Sequence, residues 1–262
     1  MSERMRIAVA GATGRAGRHT VDALRERGHE VVAMSRSSGV DIVTGEGLAQ
    51  ALEGGVDAVV DAATGPSPDR EEATAFFTAA SRNLQDAARR AGARRIVVVS
   101  IVGIDRAAFG YGAAKLAHER AMRAGPVPAV VLRAAQFHEF VEQLVDWGRQ
   151  GDVAYVPLMR TQLVAARAVG EALADLAVDP VPTAPAAPTL EIAGPREERL
   201  AEMARLLIAR RGDRVRVEEV SDPANPEHEA YASGALLPGP DATLAGPTFE
   251  AWLEAEVPVR AA

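Results

Sequence analysis

Residues 7–10, Ile7-Ala8-Val9-Ala10, read as a short buried strand, and three glycines follow it at once in Gly11-Ala12-Thr13-Gly14-Arg15-Ala16-Gly17. A G-x-x-G-x-x-G spacing between a strand and a helix constrains this chain more than any other feature. The glycines permit a tight turn, let backbone approach a pyrophosphate, and allow close packing of helix on strand. The helix start adds unpaired N–H groups and partial positive charge for phosphates. Gly11, Thr13, Gly14, Arg15, Ala16 and Gly17 are therefore candidate dinucleotide-binding residues. A P-loop is excluded, because no Gly-Lys-Ser/Thr follows.

The nucleotide's ribose is read at the end of the second strand, where an NAD-type site wants an acid. Here the chain has Ser35-Arg36-Ser37-Ser38. Arg36 suits a 2′-phosphate as a bidentate fork, with hydroxyls from Ser35 and Ser37 beside it. NADP(H) is therefore favoured over NAD(H). Arg15 is either a further phosphate ligand or a solvated surface residue.

Apolar periodicity extends the pattern. Strands are expected over 31–34, 40–43, 58–60, 96–99 and 130–132, with helices from the glycine loop to Arg27, over 48–52, 71–91 and 113–124. This alternation predicts an α/β fold with a Rossmann-type doubly wound parallel sheet. After it come an amphipathic helix from Phe137 to about 148, a strand over 153–156 and a helix over 167–177. A Pro- and Ala-rich loop over 179–188, a strand over 190–192, helices over 197–210 and 247–255, and a strand over 215–220 complete the chain. The expected division is a dinucleotide-binding domain at 1–150. A smaller substrate-side region at 151–262 partly returns to the sheet near 188–193.

Lys115 is the one lysine among 29 Lys and Arg residues, and it stands four residues after Tyr111. On a helix these positions share a face. A cation beside the phenol favours phenolate and lowers its pKa, so Tyr111 is a candidate proton donor. Zero cysteines exclude disulfides, thiolate metal sites and Cys nucleophiles. A net charge of -7 argues against nucleic acid and anionic membranes as partners. The apolar stretch at 7–12 is too short for a signal-peptide core or a spanning helix, so a cytoplasmic protein acting on a small molecule is expected. The Ala- and Arg-rich composition resembles a GC-rich bacterial coding bias. Monomer and homodimer are equally compatible with the sequence. The five histidines lack metal-ligand spacing, and no metal site is expected.

The glycine loop, the Tyr111/Lys115 pair and Ser100 at the end of a central strand together resemble the short-chain dehydrogenase/reductase superfamily. The likeness is greatest to its atypical, NmrA-like branch of NAD(P)-binding proteins. It is carried by Gly11-Ala12-Thr13-Gly14, Val98-Val99-Ser100-Ile101-Val102-Gly103, Tyr111 to Lys115 and Leu132-Arg133-Ala134-Ala135-Gln136-Phe137. The resemblance runs through nearly the whole chain and is specific up to about residue 140. It implies that Tyr111 moves the proton, and that Lys115 holds the nicotinamide ribose and depresses the Tyr111 pKa. It implies further that Ser100 donates to the substrate carbonyl as an oxyanion forms. Ala62, Ala63 and Thr64 would line the adenosine side, and Ala135, Gln136 and Phe137 would flank the nicotinamide. His138, at the carboxyl edge of the sheet, is either a substrate contact or a hydrogen-bonded structural histidine. Trp147, Tyr155 and Met159 either wall a substrate pocket or belong to the core.

The expected activity is NAD(P)H-dependent hydride transfer to or from a small carbonyl, quinone or enone. Two alternatives stand beside it. Several relatives in the branch lack the tyrosine and act as redox sensors, and an isomerase or dehydratase can use transient hydride transfer.

Overall fold

Strand β1 (Arg6–Ala10) is a continuous apolar run from Ile7 onward, buried on both faces as a central parallel strand must be. In the computed structural model, which describes residues 4–107, 109–179, 189–225 and 227–259, the first half alternates strand and helix. After β1 come α1 (Arg15–Glu26), β2 (Glu30–Met34), α2 (Leu48–Ala51), β3 (Ala58–Asp61) and α3 (Arg70–Arg90). Then follow β4 (Arg95–Ile101), α4 (Gly110–Arg123) and β5 (Ala129–Ala134). The second half adds α5 (His138–Trp147), β6 (Arg149–Gln150), β7 (Val153–Pro157), β8 (Arg160–Thr161), α6 (Ala166–Val178) and β9 (Leu190–Ala193). It ends with β10 (Glu198–Arg199), α7 (Leu200–Arg211), β11 (Arg216–Val220), α8 (His228–Ser233), β12 (Thr243–Leu244) and α9 (Phe249–Glu256).

Seven strands form a parallel sheet in the order β12-β9-β5-β4-β3-β1-β2. The chain places β2 on one side of β1 and β3 on the other, so the strand order reverses at β1. Open α/β sheets bind ligands at such a reversal, outside the carboxyl ends of the strands. The expected strand over 40–43 is corrected to a turn. Asp41 Oδ1 accepts from the amides of Val43 at 2.7 Å and Thr44 at 3.2 Å, which curls the backbone away from a ladder. The sheet therefore ends at β2. The loop expected over 179–188 lies, from 180 onward, outside the described residues.

The chain packs as two units. The first takes the described residues within 1–100, 110–133 and 167–190, the second those within 101–109, 134–166 and 191–262. The chain thus crosses between units several times, whereas the expected division was a boundary near 150 with a partial return to the sheet near 188–193. Helix α6 falls in the first unit because Gly170 lets it lie on α1: a Cβ there would stand 2.6 Å from the His19 Cβ. The Arg27–Asp175 ion pair at 2.8 Å joins the same two helices at their exposed edge.

Within the first unit, alternate residues Ala8, Ala10, Val59, Ile96 and Val98 share one sheet face with Leu84, Ala88 and Met122 from α3 and α4. Helix α3 starts cleanly because Asp69 caps it, its Oδ1 accepting from Glu71 and Glu72. Acids stand in its first turn and arginines in its last, in accord with the helix dipole. In the second unit, α5, α7 and α9 pack with β7 and β11 around Val141, Leu207, Val217 and Phe249. Among the described residues no helix is long and apolar enough to cross a membrane.

Leu84 is fully buried in the first unit's core. Leu84→Ala leaves a cavity there and is expected to lower the unfolding free energy by about 2–5 kcal/mol. Urea unfolding checks this as a lower midpoint at unchanged slope.

Candidate functional site

The 11–17 loop leaves β1 at the strand-order reversal and is built on backbone contact. Gly11 has φ +72°, and a Cβ there would stand 2.7 Å from the Ala62 carbonyl oxygen. A Cβ on Gly17 would stand 2.1 Å from the Gly11 oxygen. The loop closes through Gly14 N–H donating to the Gly11 carbonyl at 2.9 Å. Helix α1 then opens with no side-chain cap at Gly14 and no acid in its first turn. First-turn amides have no intrahelical acceptor, so this end offers donors and positive potential to an anion. A cradle that any Cβ would fill, closed by a bare helix start, fits a dinucleotide pyrophosphate.

Its neighbours come from the ends of β2 and β3. Ser35 caps a single 3-10 turn at Arg36–Ser38, accepting from the Ser38 amide, and its hydroxyl lies 2.9 Å from that of Ser37. The serine hydroxyls are thus tied to one another, while Arg36 projects exposed from the turn. Ala62 and Ala63 are buried against the loop and Thr64 is exposed.

Tyr111 and Lys115 both lie on α4, but the structure does not couple them as the spacing predicts. Lys115 is 3% exposed and its Nζ donates to the Val99 carbonyl at 2.8 Å. It also lies 3.0 Å from His118 Nδ1 and 4.5 Å from the centre of the Phe77 ring. His118 Nε2 in turn meets Asp61 Oδ2 at 3.0 Å, and Asp61 Oδ1 accepts from the Ala63 amide. The Phe77 ring stacks on His118 at 4.5 Å and meets the Tyr111 ring edge-on at 5.9 Å. Tyr111 makes no hydrogen bond to another described residue through its hydroxyl.

The titration behaviour follows from this packing. Burial, then the Asp61 charge, pushes the Tyr111 phenol up to about 12, so the expected lowering by Lys115 is corrected. Burial pushes Lys115 down to about 8 against the pull of Asp61 and Glu119. Burial and the Lys115 charge together hold His118 below its usual value despite Asp61. Burial works to raise Asp61, yet the hydrogen bond from His118 and the Lys115 charge keep its carboxyl below the usual range.

Ser100 lies near the end of the central strand β4, as expected. Its Oγ is buried without a hydrogen bond of good geometry, although it lies by Glu119 and helps keep that carboxyl low. Glu119 is held mainly by Arg133, whose guanidinium donates to both carboxylate oxygens at 2.9 and 3.0 Å. The hydroxyl thus lies beside a buried ion pair, in a residue 3% exposed.

In the second unit the candidates are divided among several environments. Ala135 N–H donates to the Ile192 carbonyl, and the Gln136 side-chain oxygen accepts from Thr161 Oγ1 at 2.7 Å. Phe137 bridges to Val164 and is half-buried. His138 is fully buried, its Nε2 3.2 Å from the Pro247 carbonyl and its ring among Phe249 and Trp252. Burial pushes it down to about 4. This burial and the contact to Pro247 favour the structural alternative for His138. Met159 belongs to the core, Tyr155 is half-buried in β7, and Trp147 is 62% exposed with its ring edge-on to Phe140.

Asp61, His118 and Glu119 escaped the reading of the sequence. His118 and Glu119 stand three and four residues after Lys115, a spacing that places them on its helix face and was available as a signal. Asp61, closing an otherwise apolar strand, was a second.

The NAD(P)H-binding family matches this chain over residues 11–152. No curated protein matches it by sequence. Among solved structures it is similar to dTDP-4-dehydrorhamnose reductase from Bacillus anthracis in complex with NADP, with a TM-score of 0.71 at 17% identity over 97% of this chain and 98% of that one. It is also similar to the Bordetella bronchiseptica enzyme WbmG in complex with NAD, with a TM-score of 0.66 at 19% identity over 97% and 95%. Citrobacter sp. triphenylmethane reductase complexed with NADP(H) gives 0.63 at 18% identity over 95% and 99%. At these identities the likeness is one of fold. By its glycine loop at the strand-order reversal and the family match from that loop to residue 152, the chain belongs to the NAD(P)H-binding family.

Proposed function

We propose that the protein is an NADPH-dependent reductase of a small carbonyl, quinone or enone, of the atypical, NmrA-like kind. The observation that carries this reading is the 11–17 loop, where two glycines admit backbone contacts that no side chain would allow. When bound, the dinucleotide supplies the hydride. The loop and the start of α1 would hold its pyrophosphate, and Ala62, Ala63 and Thr64 its adenosine side. Arg36 would take the 2′-phosphate, since the end of β2 carries no acid to receive a free ribose hydroxyl.

Tyr111 would give the proton to the substrate oxygen. Its phenol, pushed up to about 12, stays protonated across the physiological range, which is the form that reduction requires. Lys115 would hold the nicotinamide ribose and stabilise the phenolate left behind. Trp147, exposed on α5, is the remaining candidate to contact an apolar substrate.

One observation favours the sensor reading. Lys115 donates to Val99 and His118 and not to Tyr111, so the two groups are uncoupled in this structure. A cofactor-binding sensor would keep the loop and be indifferent to Tyr111.

NADPH oxidation over a panel of quinones, enones and ketones separates the readings. Wild type is expected to turn over at least one acceptor, with Tyr111→Phe slower by about a hundred- to ten-thousandfold. Binding of NADPH without consumption by any acceptor, unchanged in Tyr111→Phe, would instead support the sensor.

Arg36→Ala tests the choice of nucleotide independently. Loss of a charge-assisted hydrogen-bonded contact worth about 1.5–3 kcal/mol should weaken NADPH binding roughly ten- to a hundredfold and leave NADH unaffected. Equal weakening of both nucleotides by fluorescence titration would remove the NADPH preference.

A further inference from the structure

Three buried titratable groups in the first unit stand in one line, and the proposed reaction uses only the last of them. Asp61 closes β3 and is 1% exposed; His118 and Lys115 lie one turn apart on α4 at 1% and 3%. A carboxylate offers acceptors only, so the proton between Asp61 Oδ2 and His118 Nε2 belongs to the imidazole. In the neutral ring that leaves Nδ1 bare, and an ammonium, which only donates, is its natural partner at 3.0 Å. A second ammonium proton goes to Val99 O, and the Phe77 ring lies at cation–π distance. Asp61 thus decides which tautomer His118 adopts, and the tautomer decides whether Lys115 has an acceptor.

We propose that Asp61 and His118 are positioning residues that keep Lys115 charged and in place, so that dinucleotide affinity is coupled to the protonation of this single lysine. The dinucleotide half of the proposal rests on the reading above; the hold on Lys115 does not. The charges acting on Lys115 are Asp61 from β3 and Glu119 from its own helix, the latter itself paired with Arg123 and Arg133. Helix α3 contributes the Phe77 ring and β4 the Val99 carbonyl. Tyr111, on the same helix, is held protonated.

The sign of the coupling follows. Lys115 is pushed down to about 8, so its charge is full below that pH and fades above it. An anionic ligand that prefers the ammonium binds with uptake of a proton around this midpoint. Its affinity is flat below the midpoint and falls above it, by at most about tenfold per pH unit. Replacing Asp61 by Asn removes the negative charge. An amide nitrogen turned to His118 Nε2 also forces the wrong tautomer, so the midpoint drops.

A chain with one lysine gives one lysine signal, which makes the test direct. Protein labelled with 13Cε-lysine is titrated by NMR in wild type, Asp61→Asn, His118→Leu and His118→Gln. The expected wild-type midpoint is near 8, lower by about a unit or more in Asp61→Asn and His118→Leu. His118→Gln, whose amide can donate to Asp61 and accept from Lys115, should restore it. A wild-type midpoint at the ordinary lysine value overturns the coupling near pH 8 whether or not the variants fold. A midpoint that both folded variants leave in place overturns the hold. NADPH affinity against pH is then measured by fluorescence on wild type. A decline that begins at the Lys115 midpoint supports the coupling, and pH-independent binding overturns it. Failure of NADPH to bind at any pH overturns the coupling and the reductase reading, while the lysine titration still decides the role of Asp61 and His118.

Discussion

Helix α1 begins where it does because Gly17 has no side chain. Its Cα stands so near the Gly11 carbonyl that a methyl group would lie 2.1 Å from that oxygen. Gly11 meets the backbone of Ala62 and Ala63 in the same way. Strand β1, the loop, helix α1 and the exit of β3 are therefore one backbone assembly, and the proposed pyrophosphate contacts hang from it. An alanine at Gly17 would have to lift the helix off the loop, because the obstacle is main chain and cannot rotate aside.

Beneath this assembly the first unit accepts an unusual load of buried charge. Asp61, Lys115, Glu119 and Arg133 are all withdrawn from water. Burying a single ion costs several kcal/mol, and breaking such a pair by removing one partner costs about 3–5 kcal/mol. Glu119 and Arg133 offset that cost by a two-pronged hydrogen bond. Asp61 and Lys115 do not touch; the neutral His118 ring separates them and transmits the interaction through its two nitrogens. Phe77 covers His118 and lies under the ammonium, so water cannot take the place of either partner from that side. The line is a polar network in which each member depends on the protonation of the next.

The glycine loop, the buried strands and the long helices were legible because each follows a local rule: a turn that needs glycine, a run covered on both faces, a 3.6-residue stripe. The turn at 40–43 was not, since its Val-Asp-Ile-Val run reads as a strand until the Asp41 side chain competes for the amides of Val43 and Thr44. The place of α6 in the first unit was hidden for another reason. It depends on Gly170 meeting His19 across some 150 residues of sequence, and no periodicity records such a contact. Tyr111 and Lys115 show the limit most clearly. Their spacing does put them on one helix, yet spacing cannot tell which acceptor a flexible ammonium will choose. Val99 and His118 offered better geometry than the phenol.

One cause stands behind the two shifts that the Tyr-Lys spacing did not predict. Burial works against whichever form of a group carries charge, so it raises an acid and lowers a base. Tyr111 moves up and Lys115 moves down because the same α3–α4 packing dries both. The low local dielectric that disfavours charge on either group also strengthens the field of any charge that remains. An ammonium kept charged there by Asp61 would act on a developing phenolate more strongly than the same ammonium in water. For the proposed reduction this is the useful combination: a phenol that does not lose its proton to solvent, and a cation, conditional on its neighbours, that makes losing it to substrate easier.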